Sequence, residues 1–126
     1  MKLLLIALAF LASPLYALDV PSGQPVTLHE VLLDEVGTEA WVRFRFVTPD
    51  ISRDGGSVAY EVAADDMTHL CEQLAIPYIG EFALTADVII IALADRITEF
   101  GIPDPAATQF IEAYRADGTT CSWEPL

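Results

Sequence analysis

The chain has 126 residues, 53% of them apolar, and sets 19 acidic side chains against six basic ones, a formal net charge of −13. That length holds one domain and leaves no room for two. The acidic balance argues against binding nucleic acid or anionic lipid, because such a surface repels phosphate at ordinary salt, and the apolar content argues against disorder.

Met1–Ala17 reads as an export signal. Lys2 is a short basic start, Leu3–Ala12 an apolar run, and Ser13-Pro14-Leu15-Tyr16-Ala17 the approach to a cut. The ten apolar residues fall well short of the roughly 20 that a spanning helix needs, and Pro14 discourages helix beyond it. No stable membrane anchor is therefore expected after cleavage. The division is a signal peptide over residues 1–17 and a single small domain over 18–126, expected in the periplasm or secreted. Cleavage removes the only lysine and leaves Arg43, Arg45, Arg53, Arg96 and Arg115 against all 19 acids. These acids are spread along the chain and read as a solubilising surface.

Pro21–Pro25 looks like a linker. Val26–Leu33 reads as a strand, broken from the next by Gly37. Ala40–Val47 is the clearest strand, with Val42, Phe44 and Phe46 alternating against Trp41, Arg43 and Arg45. Thr48–Ser57 is a polar loop, and Val58, Tyr60 and Val62 suggest a short third strand. Between Asp65 and Ala75 the apolar positions Met67, Leu70, Cys71 and Leu74 form a helical stripe. Asp65 is placed to cap this helix, and Pro77 is expected to end it. Val88–Leu93 is apolar on both faces, as a central strand should be. Over 104–116 two readings stand. Asp104-Pro105 followed by Ala107, Phe110, Ile111 and Tyr114 suits a helix, whereas Gln109–Arg115 ahead of Asp117-Gly118 suits the first arm of a hairpin. Local pattern alone favours the helix. Thr120–Glu124 is the last strand, with Cys121 and Trp123 on one face.

Cys71 and Cys121 are the only cysteines. In an exported chain their first reading is a disulfide, ahead of free thiols or a reactive or metal-binding pair. Closing a loop of about 50 residues is worth roughly 4 kcal/mol in chain entropy. The spacing excludes a CxxC redox centre.

Several stretches form an ordered set: Arg43-Phe44-Arg45-Phe46, Leu70-Cys71-Glu72, Val88–Arg96 with Glu99-Phe100-Gly101, Gln109–Arg115, and Cys121-Ser122-Trp123-Glu124. The set resembles a family of short exported alphaproteobacterial proteins of unknown function, over nearly the whole chain after the leader. The resemblance implies a C-terminal β-hairpin, and so a strand at Gln109–Arg115, and it supports export and the Cys71–Cys121 pair. It implies no activity, cofactor or catalytic residue. The fold expected is α+β: a mainly antiparallel sheet of five to six strands, one helix packed on one face, and a single disulfide.

Candidate chemistry is sparse. Asp50, Ser52, Asp54, Gly55 and Glu61 match the spacing of an EF-hand calcium loop, in which alternate oxygens wrap a hard cation. The required flanking helix is missing, because a strand and Pro49 precede the loop. His69 shares a helix face with Asp65 and Glu72, and His29 stands beside Glu30; neither set completes a metal site. No serine sits in a nucleophile elbow, no acid pair has the apolar setting that raises a pKa, and no glycine-rich phosphate loop is present. Catalytic, cofactor and metal residues are thus expected to be none. Arg96 and Glu99 suggest a local pair near Phe100. Trp41, Arg43 and Arg45 on one strand face form a candidate interface, since Trp and Arg are enriched at binding hot spots, with cross-strand pairing to acids as the plainer alternative. The leading expectation is a non-enzymatic binding or accessory domain with a protein partner. A calcium-binding module at Asp50–Glu61 ranks second, and a small hydrolase third.

Overall fold

In the computed structural model, residues 18–126 are described; the expected signal peptide at 1–17 lies outside them. Five strands form one sheet: β1 (Thr27–Val36), β2 (Glu39–Val47), β3 (Val88–Ala94), β4 (Gln109–Asp117) and β5 (Thr120–Glu124), in spatial order 1-2-3-4-5. Three pairings are antiparallel; β2 and β3 run parallel. A parallel pair needs a long crossover, and a helical rod from Tyr60 to Glu81 supplies it, as α1 (Tyr60–Leu70), a π-helical turn (Cys71–Ala75) and α2 (Ile76–Glu81). The expected α+β architecture, with a mostly antiparallel sheet and one helix on one face, is the one observed.

Strand alternation decides what the helix covers. Val42, Phe44 and Phe46 of β2 and Ile89, Ile91 and Leu93 of β3 face the rod, and Ala63, Met67, Leu70, Cys71 and Ala75 meet them in one buried cluster with Tyr114 of β4. Tyr78 and Phe44 meet edge to face, with ring centroids 5.4 Å apart. Burial pushes the Tyr114 phenol up to about 12, against a smaller opposing effect of the Thr68 hydroxyl. The disulfide Cys71–Cys121 joins the π turn to β5, with Cα atoms 6.3 Å apart. Glu72 reinforces it by accepting the Cys121 backbone N–H at 2.9 Å.

Four local expectations are corrected. Val58, Tyr60 and Val62 are not a strand: the chain turns helical at Tyr60, where Tyr60 and Val62 stay exposed and Ala63 is buried, so the 3.6-residue period overrides a short alternation. The helix therefore starts five residues before Asp65, with Ala59 at a start that lacks a side-chain cap. Pro77 does not end it. A proline lacks the N–H and crowds the carbonyl four residues back, and the wider π turn just upstream, where Ile76 N–H reaches the Cys71 carbonyl, lets the rod continue to Glu81. Pro21–Pro25 is not a free linker either. Val20 and Val26 are buried in the core, and the wholly buried Asp66 accepts from Ser22 N–H (2.9 Å), Ser22 Oγ (2.5 Å) and Gln24 Nε2 (2.7 Å), which straps the segment to the helix.

Over 104–116 the strand wins. Gln109–Asp117 is paired on both sides, to β3 and to β5. Asp104-Pro105 makes only a turn, with Asp104 Oδ1 accepting Ala106 N–H at 3.1 Å.

Candidate functional site

The sheet face turned away from the helix follows from the same alternation. Register sets Trp41, Arg43 and Arg45 of β2 beside Val88, Ile90 and Ala92 of β3, and Ala92 beside Ile111 of β4. No helix among the described residues covers this face. The connection from Asp95 to Thr108 folds over part of it instead.

Polar contacts hold that connection at three places. At its base Asp95 and Thr108 exchange backbone-directed bonds, Asp95 N–H to the Thr108 carbonyl and Thr108 N–H to Asp95 Oδ1, both at 3.0 Å. Arg53 binds the Ala107 carbonyl at 3.1 Å and the Pro105 carbonyl. Midway, Arg45 Nη2 donates to the Thr98 carbonyl (3.1 Å) and hydroxyl (2.8 Å), while its Nη1 pairs with Glu30 of β1. Asp95 is nearly sealed from solvent, and its carboxyl is held down to about 2, first by Arg96, whose Nε and Nη2 lie 3.1 and 3.0 Å away, and then by the Thr108 N–H and Ser52 hydroxyl, against the opposing effect of burial. Arg96 thus pairs with Asp95, not with Glu99 as the sequence suggested.

Between sheet and connection lies a pocket of about 280 Å³ lined by Arg43, Arg45, Ile90, Ala92, Phe100 and Ile111, with Thr98, Glu99 and Gln109 as its other polar side chains. The two arginines differ. Arg45 is committed to Glu30 and Thr98. Arg43 lies 5.2 Å from the centroids of both the Trp41 and Phe100 rings, and among the described residues its one charged partner is the half-exposed Asp34, at a long 3.4 Å. The cross-strand pairing to acids expected as the plainer alternative is present, to Glu30 and Asp34, and Trp41, Arg43 and Arg45 share one sheet face. Among the described residues four buried side-chain polar atoms lack a hydrogen-bond partner, and two, Trp41 Nε1 and Arg43 Nε, belong to this face. Both are donors, and neither side chain can accept. At the far end of the face Arg115 bridges Glu39 (2.8 Å) and Glu124 (2.5 Å); the Glu124 carboxylate, with Glu39 second, raises the guanidinium pKa.

The other candidate groups stay apart or do structural work. In the loop of EF-hand spacing, Ser52 Oγ takes the Asp54 N–H at 3.1 Å, the Asp50 carbonyl takes the Val58 N–H, and Glu61 stands on the first turn of α1. A Cβ on Gly56 would collide with the Asp50 and Ser52 carbonyl oxygens, so this loop closes on its own backbone. Among the described residues no group of three or more His, Cys, Asp or Glu side chains is placed to share a metal ion. His29 sits at an irregularity in the β1 register, with Nε2 3.9 Å from Glu30. Glu72, the would-be partner of His69, is occupied by Cys121. Sequence reasoning missed the wall formed by Phe100; its signal was the run Phe100-Gly101-Ile102-Pro103, apolar residues in a stretch too broken for a strand.

These features define a small disulfide-closed α+β domain with one packed sheet face and one face that carries an arginine-lined pocket. The model of the family described as "Family of unknown function (DUF6497)" matches residues 5–126, and the chain belongs to that family. No match was found among curated proteins or among solved structures. No helix among the described residues is long and apolar enough to cross a membrane.

Proposed function

We propose that residues 18–126 work after export, in the periplasm or outside the cell, as a non-enzymatic binding domain whose contact surface is the sheet face opposite the helix. The observation that carries this reading is Arg43: clasped between Trp41 and Phe100 at a pocket, with a buried Nε that has no acceptor. A buried donor left unpaired costs about 1–3 kcal/mol, and a partner's acceptor can meet this guanidinium at its Nη end, where Asp34 holds it only at 3.4 Å. Exposed Ile97, Phe100, Ile102 and Ile111 on and beside the covering connection add apolar contact area. The leader and the disulfide support an oxidising compartment.

The test is affinity capture from native envelope extract with three baits: the wild-type protein, the double variant Arg43→Glu/Phe100→Ala, and Trp123→Ala on the opposite sheet face. The reading expects a partner that the double variant loses and Trp123→Ala retains. If Arg43→Glu/Phe100→Ala keeps every captured partner, the face is not the interface. N-terminal sequencing of the periplasmic protein should begin at Leu18.

A further inference from the structure

We infer that the pocket beneath Phe100 takes a small amphipathic monocarboxylic acid, its carboxylate on Arg43 and its apolar body on Ile90, Ala92 and Ile111. The inference deepens the binding-domain reading and rests on it. Three observations converge. The first is unmet donor capacity: of the five N–H donors of Arg43, one reaches Asp34 at 3.4 Å, and the buried Nε reaches nothing. The Nε itself is sealed, so the reachable donors are at the terminal Nη end, where the long Asp34 contact is the one bond made among the described residues. That end of a guanidinium suits a planar carboxylate, which takes two parallel bonds. The neighbouring unpaired Trp41 Nε1 is a donor too, so the unmet need on this face is for acceptors.

The second is the lining. Ile90, Ala92 and Ile111 on the sheet and Phe100, Ile102 and Pro103 on the connection give the pocket apolar walls. Its roughly 280 Å³, at about 30 Å³ per water-sized group, holds on the order of nine non-hydrogen atoms, about one fewer than those of an eight-carbon acid.

The third is the charge around it. Glu30, Asp34 and Glu99 stand near the two arginines. Three carboxylates against two guanidiniums leave the local balance negative, so a dianionic head such as a phosphate monoester is disfavoured more than a monoanion. More distant acids count little, because salt screens exposed charges beyond about 8 Å. Asp34 is exposed and its ion pair is long, so displacing it costs little, whereas Arg45, tied to Glu30 and Thr98, stays in place as the pocket's wall.

The experiment is calorimetric titration of the oxidised, exported protein with butanoate, hexanoate, octanoate and decanoate, and with octan-1-ol as the uncharged control. Affinity should rise roughly fourfold per added methylene, the fold-change equivalent to about 0.8 kcal/mol, and level off near octanoate. Octan-1-ol and the variant Arg43→Met should each bind at least tenfold more weakly than octanoate to the wild type. Ala92→Leu, which fills the pocket and leaves Arg43 alone, should move the plateau to shorter acids and keeps the inference testable if Arg43→Met fails to fold. The inference is overturned if no acid binds at 10-millimolar scale (~10 mM, a bound weaker than about 3 kcal/mol of binding), if octanol matches octanoate, or if Arg43→Met or Ala92→Leu titrates as wild type does. Loss of octanoate binding together with retained, Arg43-dependent partner capture would sink this inference and leave the binding-domain reading intact.

Discussion

The two faces of the sheet come from the same five strands and are built by opposite means. On the helix side Phe44, Ile91 and Leu93 are wholly buried among apolar neighbours, and a covalent bond from Cys71 to Cys121 fastens the cover. On the other side a smaller buried cluster of Val88, Ile90 and Ala113 packs with Trp41, and beside it the cover is a connection held by hydrogen bonds to Arg45, Arg53 and Asp95, with a pocket beneath it. Apolar packing is non-directional and stabilising, so the first face serves as scaffold. Polar tethers over an unfilled space are directional and contribute less, so the second face is the less tightly fixed of the two.

The sharpest test of that contrast is a pair of truncations read by urea unfolding. Phe44→Ala should cost about 3–5 kcal/mol, as large-to-small changes in a packed core do, while Ile111→Ala on the pocket side should cost about 1 kcal/mol or less because its side chain is already half exposed. Equal costs would erase the distinction between the faces. Next in size, replacing both cysteines with alanine should lower stability by about 4 kcal/mol, and thiol reductant should reproduce that loss in the wild type and change nothing in the variant.

The pocket-side cover has its own signature in acid. Because the Asp95 pKa is held down to about 2 from 3.8 in the native state, its contribution is complete above the ordinary carboxylate range and fades as pH falls through about 2. Stability should therefore drop between about pH 4 and pH 2. Asp95→Asn should cost about 2 kcal/mol at neutral pH and flatten that part of the acid profile. Persistence of the full wild-type slope in Asp95→Asn would assign it to other carboxylates. The smallest effect concerns the end of the helix. Ala83 holds φ 52°, and Leu84 N–H reaches back to the Ile79 carbonyl at 3.0 Å, the arrangement in which glycine is preferred. Ala83→Gly should raise stability by about 0.5–1 kcal/mol, seen as a higher melting temperature with the far-UV spectrum unchanged.

Much of the scaffold was legible because its signals are local. The alternation of Val42, Phe44 and Phe46 named both the strand and its buried side, and Met67, Leu70 and Cys71 marked the helical stripe that meets it. The choice at Gln109–Arg115 was not local: helix spacing and strand alternation coexist there, and the segment becomes a strand because β3 and β5 offer partners on both sides. Pro77 misled for a related reason. Its effect on a helix depends on whether the preceding turn can widen, and that is settled by how Cys71 and Ala75 pack into the core.

By itself the sequence determined the class of fold, the scaffold face and the placing of Trp41, Arg43 and Arg45 on one side of β2, because period-2 and period-3.6 patterns are properties of neighbouring residues. It also singled out the two cysteines that a disulfide joins. Only the tertiary structure decided that Arg45 is spent on Glu30 and Thr98 while Arg43 keeps free donors, that Arg96 belongs to Asp95, and that Phe100 closes a pocket over Ile90 and Ala92. Each of these joins residues distant in the chain, and a hydrogen bond or ring contact exists only once the sheet register and the connection above it bring its partners within a few ångströms.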